Sequence, residues 1–436
     1  MNKHIIKNAS WIIGARIVQA VLNLVVSIIT VRYLGPSNFG LITYVASVTA
    51  FLLPLMNLGL NSILVNEFVK NPSDEGEIIG TSLVMNFVSG ILCIGGSVAF
   101  VSIANRGERD TLIVCALYSL IFIFQSFELI QYWFQWKYLS KYTSLTFLGA
   151  YTIVSAYKIF LLATGKSVYW FALSNALDYL IIGAALMFFY FRLSGQRLHF
   201  SFERAKALFS KSRYYIVSSM MVTIFAQTDR IMLKLMINEE AVGYYSAAVT
   251  VAGMTSFVFA ALIDSFRPEI LECKKKSSPE YEANLKKLYA VIIYLSFIQS
   301  IAVTVFAELI VNIMYSSAFS ASVPALRIIV WYTTFSYLGA VRNIWILAEG
   351  KQKYLWIINL SGAIMNVALN LILIPRFGIN GAAAASLVTQ IFTNVIINLI
   401  LRPMREINRL LTAGLNPKNL MGILKYGKQS RSIGKT

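Results

Sequence analysis

Runs of twenty or more mostly apolar residues alternate with short polar joins along almost the whole chain. About twelve can be marked, near 10–33, 39–63, 80–104, 111–134, 144–165, 168–191, 214–237, 243–266, 288–313, 324–348, 354–375 and 380–402. A helix needs about 20 apolar residues to cross a bilayer, and each run reaches that length. Gly, Pro, Asn and Ser mark the joins, as in Gly35-Pro36-Ser37-Asn38, Asn71-Pro72-Ser73, Thr164-Gly165-Lys166-Ser167 and Arg376-Phe377-Gly378-Ile379-Asn380-Gly381. Spanning barrel strands alternate over about ten residues, whereas these runs are continuous and twice as long. The pattern predicts an all-α integral membrane protein of about twelve transmembrane helices.

Composition agrees. Of 436 residues 57% are apolar and 13% charged, against roughly 25% charged in soluble domains, so lipid rather than polar side chains must cover the fold. The 28 Phe, 23 Tyr and 7 Trp exclude a disordered chain. The first run follows Lys3 and Lys7 as a signal peptide would, but it is too long for one and no A-x-A site follows, so it is expected to stay in place.

The formal charge of +18 is explained by sidedness and asks for no nucleic-acid partner. With the N-terminus inside, 27 Lys and Arg fall in cytoplasmic joins and 5 in outer ones. This predicts a multi-pass protein with both termini in the cytoplasm; the expected setting is the cytoplasmic membrane of a bacterial or archaeal cell. The basic stretches at 192–213 and from Arg402 onward are expected to meet anionic lipid headgroups. Trp11, Trp133, Trp136, Trp345 and Trp356 at inner ends and Trp170 at an outer end suit interfacial belts. Cys93, Cys115, Cys273, His4 and His199 have no spacing that suggests a disulfide, a metal site or a cofactor.

The long basic join at 192–213 separates two sets of six runs. RYLGPSNFGLITY (Arg32 to Tyr44) after the first run and KLMINEEAVGYYS (Lys234 to Ser246) after the seventh share a basic end, a polar turn and a residue pair ending in Gly (Phe39-Gly40, Val242-Gly243). A duplication follows, with lobes at 1–200 and 201–403 and a basic tail at 404–436, the lobes related by an axis along the membrane normal.

Charges inside spans are costly and usually face a cavity or a partner. Glu128, Lys234, Asp264, Glu308 and Arg327 lie near span ends, where snorkelling explains them. Arg16, Lys158, Asp178, Asp229, Arg230 and Arg342 lie deeper or cluster, and four of these six are basic, which favours an anionic substrate. Ion pairs that hold the bundle together are the alternative, with Asp178 and Asp229 as natural partners.

At this point the chain resembles the polysaccharide flippases of the multidrug/oligosaccharidyl-lipid/polysaccharide exporter superfamily over nearly its whole length. Arg32 to Gly40 matches R-x-L-G-P-x-x-[FY]-G, and Gln131-Tyr132-Trp133-Phe134-Gln135 is similar to the family's aromatic-Gln segment. Asp229-Arg230-Ile231 through Val242-Gly243-Tyr244-Tyr245-Ser246-Ala247-Ala248 resembles its D-[KR]-I…G-x-Y-x-A-A stretch. NVALNLILIPRFGING, from Asn366 to Gly381, with Ala382 to Ala384 after it, resembles its signature N-x-x-x-N-x-x-L-I-P-x-[FY]-G-[IV]-x-G-A-A. The join after the second run departs from the family, carrying Asp74, Glu75 and Glu77 against Lys70 where basic residues are usual.

The resemblance implies two six-helix lobes around a central cavity and alternating access. The implied substrate is an isoprenoid-pyrophosphate-linked oligosaccharide, turned from the cytoplasmic to the outer leaflet for cell-surface polysaccharide assembly. On that reading Arg16, Lys158, Arg230 and Arg342 bind the pyrophosphate or acidic sugars, and Asp178 and Asp229 serve as counter-charges or as sites for a coupling ion, H+ or Na+. No Walker A motif is present, so an ion gradient or downstream consumption supplies the energy. A glycan polymerase is a natural partner, and no enzyme activity is expected. The competing readings are a lipid II flippase, a cation-coupled multidrug antiporter and a membrane polymerase of lipid-linked glycans. The last needs a site at the outer face, where every join is about ten residues or fewer.

Overall fold

A computed structural model describes residues 3–193, 196–276 and 279–418, with residues up to 21 and Asn23 as backbone only. The described residues form sixteen α-helices and no strand. These are α1 (Lys3–Met56), α2 (Leu64–Lys70), α3 (Glu75–Ala104), α4 (Arg109–Ser119), α5 (Ile121–Gln125), α6 (Gln131–Trp136), α7 (Ser140–Ala163), α8 (Val168–Leu193), α9 (Phe202–Met236), α10 (Glu239–Gly253), α11 (Ser256–Lys275), α12 (Glu280–Tyr315), α13 (Ser322–Ala348), α14 (Leu355–Ile391), α15 (Ile397–Ile400) and α16 (Arg405–Gly414).

Among the described residues seven helical stretches are long and apolar enough to cross a bilayer, and an eighth arises if α10 and α11, bent by 41°, are one span. The other passages are folded into longer helices or are more polar. Two helices meet in α1 at Gly35 (φ 71°) and two in α14 at Gly378 (φ 58°), left-handed positions where a side chain would be strained. A Cβ on Gly381 would overlap the carbonyl oxygen of Leu373, so only Gly lets the chain pack beside the preceding helix. Helices α9 and α13, of 35 and 27 residues, are long enough to cross but carry charged side chains, Asp229, Arg230 and Lys234 on the one and Arg327 and Arg342 on the other. Together these make the all-α membrane protein of about twelve spans that the hydrophobic pattern predicts.

The chain divides into two compact units, 1–243 and 244–436. In the first, α1 packs along α7, α9 and α3, and α8 along α7 and α4. The seventh span therefore opens the second set in sequence and packs with the first set in space. A core of Phe68, Trp133, Phe134, Leu186 and Tyr190 closes one end of this unit. In the second unit α12 and α13 pair along their length, with Tyr289, Trp345, Ile358 and Leu410 in the core. Helix α16, drawn from the expected tail, packs on α12 through Ile407 and Leu410 while Arg409 bonds Glu282 at 3.0 Å. The remainder of that tail, from residue 419, lies outside the described residues.

Two expectations change. Trp133 and Trp345 are buried rather than interfacial, whereas Trp170 and Trp356 are exposed as a belt requires. The indole N–H of Trp133 donates to Glu75 at 3.0 Å, and Lys137 bonds the same carboxylate at 3.0 Å. The acidic join is thus a docking strip for basic chain. Arg204 bonds Asp74 at 2.6 Å and Glu77 at 3.1 Å, and Lys211 bonds Glu67 at 2.8 Å. Cβ atoms on Gly76 and Gly80 would overlap the carbonyls of Arg197 and His199, so this glycine pair is the groove in which the linker lies.

Candidate functional site

Lys158 on α7 and Asp178 on α8 line one cavity of about 230 Å³ in the first unit, with Thr30, Tyr151, Ser155 and Asn175. The helical period brings Tyr151, Ser155 and Lys158 to one face of α7, and Asn175 and Asp178 to one face of α8. The two charged groups are within electrostatic range. Among the described residues no ion pair shorter than 4 Å joins them, and Asp178 Oδ1 is buried without a hydrogen-bond partner. A carboxylate left in that condition is costly unless a ligand, a proton or water meets it. The cavity can hold a polar ligand between an ammonium and a carboxylate.

Asp229 and Arg230 lie on α9. Asp229 is buried, and Arg230 Nη1 donates to Gln227 Oε1 at 3.0 Å. Arg342, on α13 in the second unit, is only 5% exposed and is engaged by its surroundings. Its Nη1 donates to the carbonyl of Thr393 at 2.5 Å and its Nη2 to Asn343 Oδ1 at 3.3 Å. Thr393 sits in a π turn over Phe392–Ile396, and a Cβ on Gly339, one turn before Arg342, would overlap Asn394 there. A π turn shifts the backbone bonding register, and the guanidinium meets a carbonyl within it. Arg16 is on the backbone of α1, and its side chain lies outside the described residues. Of the six residues singled out in the sequence, the structure brings together Lys158 with Asp178 and, by adjacency, Asp229 with Arg230.

Lys234 was expected to snorkel, and it does not. Its side chain is 3% exposed and pairs with Glu108 at 2.7 Å and Glu239 at 2.8 Å. Burial alone would raise the Glu108 carboxyl, but the bonds from Lys234 and Thr111 outweigh it and hold the group below the usual carboxylate range. Asn105 links this cluster to Tyr44, whose hydroxyl donates to it at 2.7 Å. Glu108 and Lys234 are 126 positions apart, and no local pattern signals their meeting. Glu128 is likewise held, accepting from Gln131 at 3.0 Å and Gln125 at 3.3 Å. Among the described residues no three His, Cys, Asp or Glu side chains gather as a metal site, and all three cysteines are unbridged.

The described residues thus form a polytopic helical membrane bundle with charged side chains in its spans and a cavity that Lys158 and Asp178 line. The chain belongs to the polysaccharide biosynthesis protein family, whose model matches residues 5–270. The Staphylococcus aureus capsular polysaccharide biosynthesis protein CapF is 21% identical over 396 residues, 88% of this chain and 96% of that one. The probable low-salt glycan biosynthesis flippase Agl15 of Haloferax volcanii is 24% identical over 43% of this chain and 40% of its own. In fold, the chain is similar to the lipid II flippase MurJ in an inward closed conformation, with TM-score 0.70, 11% identity and coverage of 92% and 90%. It is also similar to an inward-facing multidrug resistance MATE family transporter of the MOP superfamily, with TM-score 0.69, 13% identity and coverage of 89% and 96%. The chain is thus a member of the polysaccharide biosynthesis protein family whose helical membrane fold is similar to those of MurJ and the MATE transporter.

Proposed function

We propose that the protein turns isoprenoid-pyrophosphate-linked oligosaccharide repeat units from the cytoplasmic to the outer leaflet by alternating access, without catalysing a covalent step. The observation that supports this reading is the cavity lined by Lys158 and Asp178 within the spans of a chain of the polysaccharide biosynthesis family. Sugar and pyrophosphate cannot cross hydrocarbon unaided, and a cavity with fixed cations replaces lost hydration by charge-assisted bonds. Lys158, Arg230 and Arg16 are the substrate cations of this proposal. Arg342 is assigned to holding α13 against the π turn, since two of its nitrogens already bond protein oxygens. Asp178 balances Lys158 and takes the coupling ion, H+ or Na+, with Asp229 in the same role on α9.

The two lobes of the proposal are 1–200 and 201–403, both termini are cytoplasmic, and the membrane is the cytoplasmic one. Deletion of the gene is expected to leave lipid-linked repeat units in the cytoplasmic leaflet and to remove a surface glycan, with drug tolerance unchanged. Lost drug tolerance with an intact glycan would transfer the protein to cation-coupled drug export. For topology, membrane-impermeant thiol reagent on intact cells should label a cysteine at Ser37 and miss one at Ser430; the reverse result inverts the orientation.

A further inference from the structure

The end of α1 and the first half of α9 enclose a cavity of about 250 Å³ whose polar wall is made by Asn57, Asn61, Ser219, Thr223 and Gln227. The helical period brings Ser219, Thr223 and Gln227 to one face of α9. Asn57 and Asn61 flank the turn that follows α1. In that turn Leu58 (φ 49°) and Gly59 (φ 68°) are both left-handed, and a Cβ on Gly59 would stand 2.6 Å from the carbonyl oxygen of Ser212. Glycine thus lets the turn lie against the backbone of α9, which sets the two asparagines across from the α9 face. The wall has bonding capacity to spare. Thr223 Oγ1 donates to the carbonyl of Ser219 at 3.0 Å, which leaves its lone pairs as acceptors, and Gln227 Oε1 accepts from Arg230 at 3.0 Å, which leaves its NH2 as a donor. Among the described residues no hydrogen bond engages the side chain of Asn57, Asn61 or Ser219.

All five residues belong to runs that the hydrophobic pattern assigns to spans, 39–63 and 214–237, where a polar group without a partner costs free energy. Such a wall is held for water or a polar ligand, and its composition selects the ligand. Among the described residues the wall contains no charged side chain. A phosphate or an acidic sugar calls for fixed cations and an organic cation calls for a carboxylate, so neither finds its partner here. A neutral sugar does. Each of its hydroxyls donates and accepts, as carboxamides and hydroxyls do, and its ring C–H edges meet Leu53, Pro54 and Val222 of the same wall. The volume lies below the range of about 300–1,000 Å³ typical of drug-sized ligands and suits a single sugar unit. We propose that this cavity binds one uncharged sugar of the lipid-linked headgroup and thereby selects which repeat units the protein accepts. The proposal rests on the flippase reading and adds to it a specificity site separate from the charged cavity at Lys158 and Asp178.

Binding is read as displacement of radiolabelled farnesyl diphosphate from the full chain in phosphatidylcholine nanodiscs. The competitors are the farnesyl diphosphate esters of glucose, galactose, N-acetylglucosamine and glucuronic acid, with the methyl ester as a sugar-free reference of the same diphosphate charge. At least one neutral sugar ester should bind about tenfold or more tightly than the methyl ester, the effect of one or two good hydrogen bonds, and the glucuronate ester no better than the methyl ester. Asn61 and Ser219 are exposed wall positions. In the double variant Asn61→Ala with Ser219→Ala the advantage of the neutral sugar should fall to within about threefold while the affinity for the methyl ester is unchanged. Thr223→Val should lower the advantage likewise and Thr223→Ser keep it, which separates a lost hydroxyl from a misfolded chain. Tightest binding of the glucuronate ester, neutral esters no better than the methyl ester, or an undiminished advantage in the double variant would each overturn the proposal. If the gene is nevertheless needed for the surface glycan, the flippase reading stands without this site. Absence of saturable farnesyl diphosphate binding, together with an unaltered glycan in the deletion strain, removes both.

Discussion

Gly40 and Gly243 pack against each other's turns reciprocally. A Cβ on Gly40 would overlap the carbonyl oxygen of Glu239, and one on Gly243 would overlap that of Pro36. Pro36 and Gly40 are four residues apart, as are Glu239 and Gly243, so each turn presents to the other the same carbonyl and the same glycine. This two-fold relation joins the two stretches whose similarity in the sequence suggests duplication, and Ser37 Oγ meets Glu239 Oε1 across it at 3.4 Å. Close approach of helix backbones over glycine is how membrane helices associate without a hydrophobic driving force.

Replacing either glycine by Ala must push two backbones apart, so Gly40→Ala and Gly243→Ala are each expected to cost about 1–3 kcal/mol. Thermal unfolding of the purified protein would show it as a lowered midpoint. Gly149→Ala, with nothing within 4 Å of its added methyl, should be neutral or stabilising, and equal behaviour of all three variants would refute the packing role.

Lys234 holds two carboxylates that approach from different parts of the chain. Lys234→Met leaves them facing each other and should lower stability by about 1–3 kcal/mol, less than the 3–5 kcal/mol of a fully buried pair, because Glu108 and Glu239 are 42% and 35% exposed. Since Glu108 titrates below its unfolded value, its contribution is fully present above the usual carboxylate range and is lost as pH falls through the lowered value. Wild-type stability should therefore drop on acidification more steeply than that of Lys234→Met, and parallel acid profiles of the two proteins would count against the cluster.

The linker lies on the first unit through Arg204, Gln196 and His199. Gln196 accepts from the backbone N–H of Gly76 at 2.9 Å and donates to Ser73 O at 2.9 Å. Arg204→Ala removes two ion pairs and should raise the rate of limited proteolysis within residues 196–204 severalfold, whereas Lys206→Ala should not. Partial protection in the charge-swapped double variant Arg204→Glu with Glu77→Arg would identify the contact as electrostatic. Unchanged proteolysis in Arg204→Ala would show that the glycine groove alone holds the linker.

Lys158 and Asp178 separate substrate binding from bundle stability. If they act on ligand, Lys158→Met and Asp178→Asn each abolish surface-glycan complementation at matched protein levels and the double variant does no better. If they only hold α7 to α8, the double variant, in which neither charge is left buried, should recover both stability and function. Lys158→Arg is expected to retain part of the activity, since charge is kept while the shape of the donor changes.

The hydrophobic pattern by itself determined that the chain is a bundle of about twelve membrane helices, because span length and continuity are one-dimensional properties read residue by residue. The same holds for the turns at Gly35 and Gly378, where backbone freedom is written in a single residue type, and for the family motifs. Tertiary structure alone decided which polar residues meet. Asp74 and Glu77 read as a missing basic loop until the linker's Arg204 closed on them, and Lys234 read as a snorkelling end residue until Glu108 arrived from a distant join. Arg342 reads in the sequence as one more deep cation beside Lys158 and Arg230, and only the fold shows its bond to a π turn some fifty residues on, with its Nε buried and unpartnered. A charge in a span carries the same desolvation cost wherever it sits, so the sequence marks all of them alike; whether the compensating partner is protein or ligand depends on contacts between helices remote in the chain.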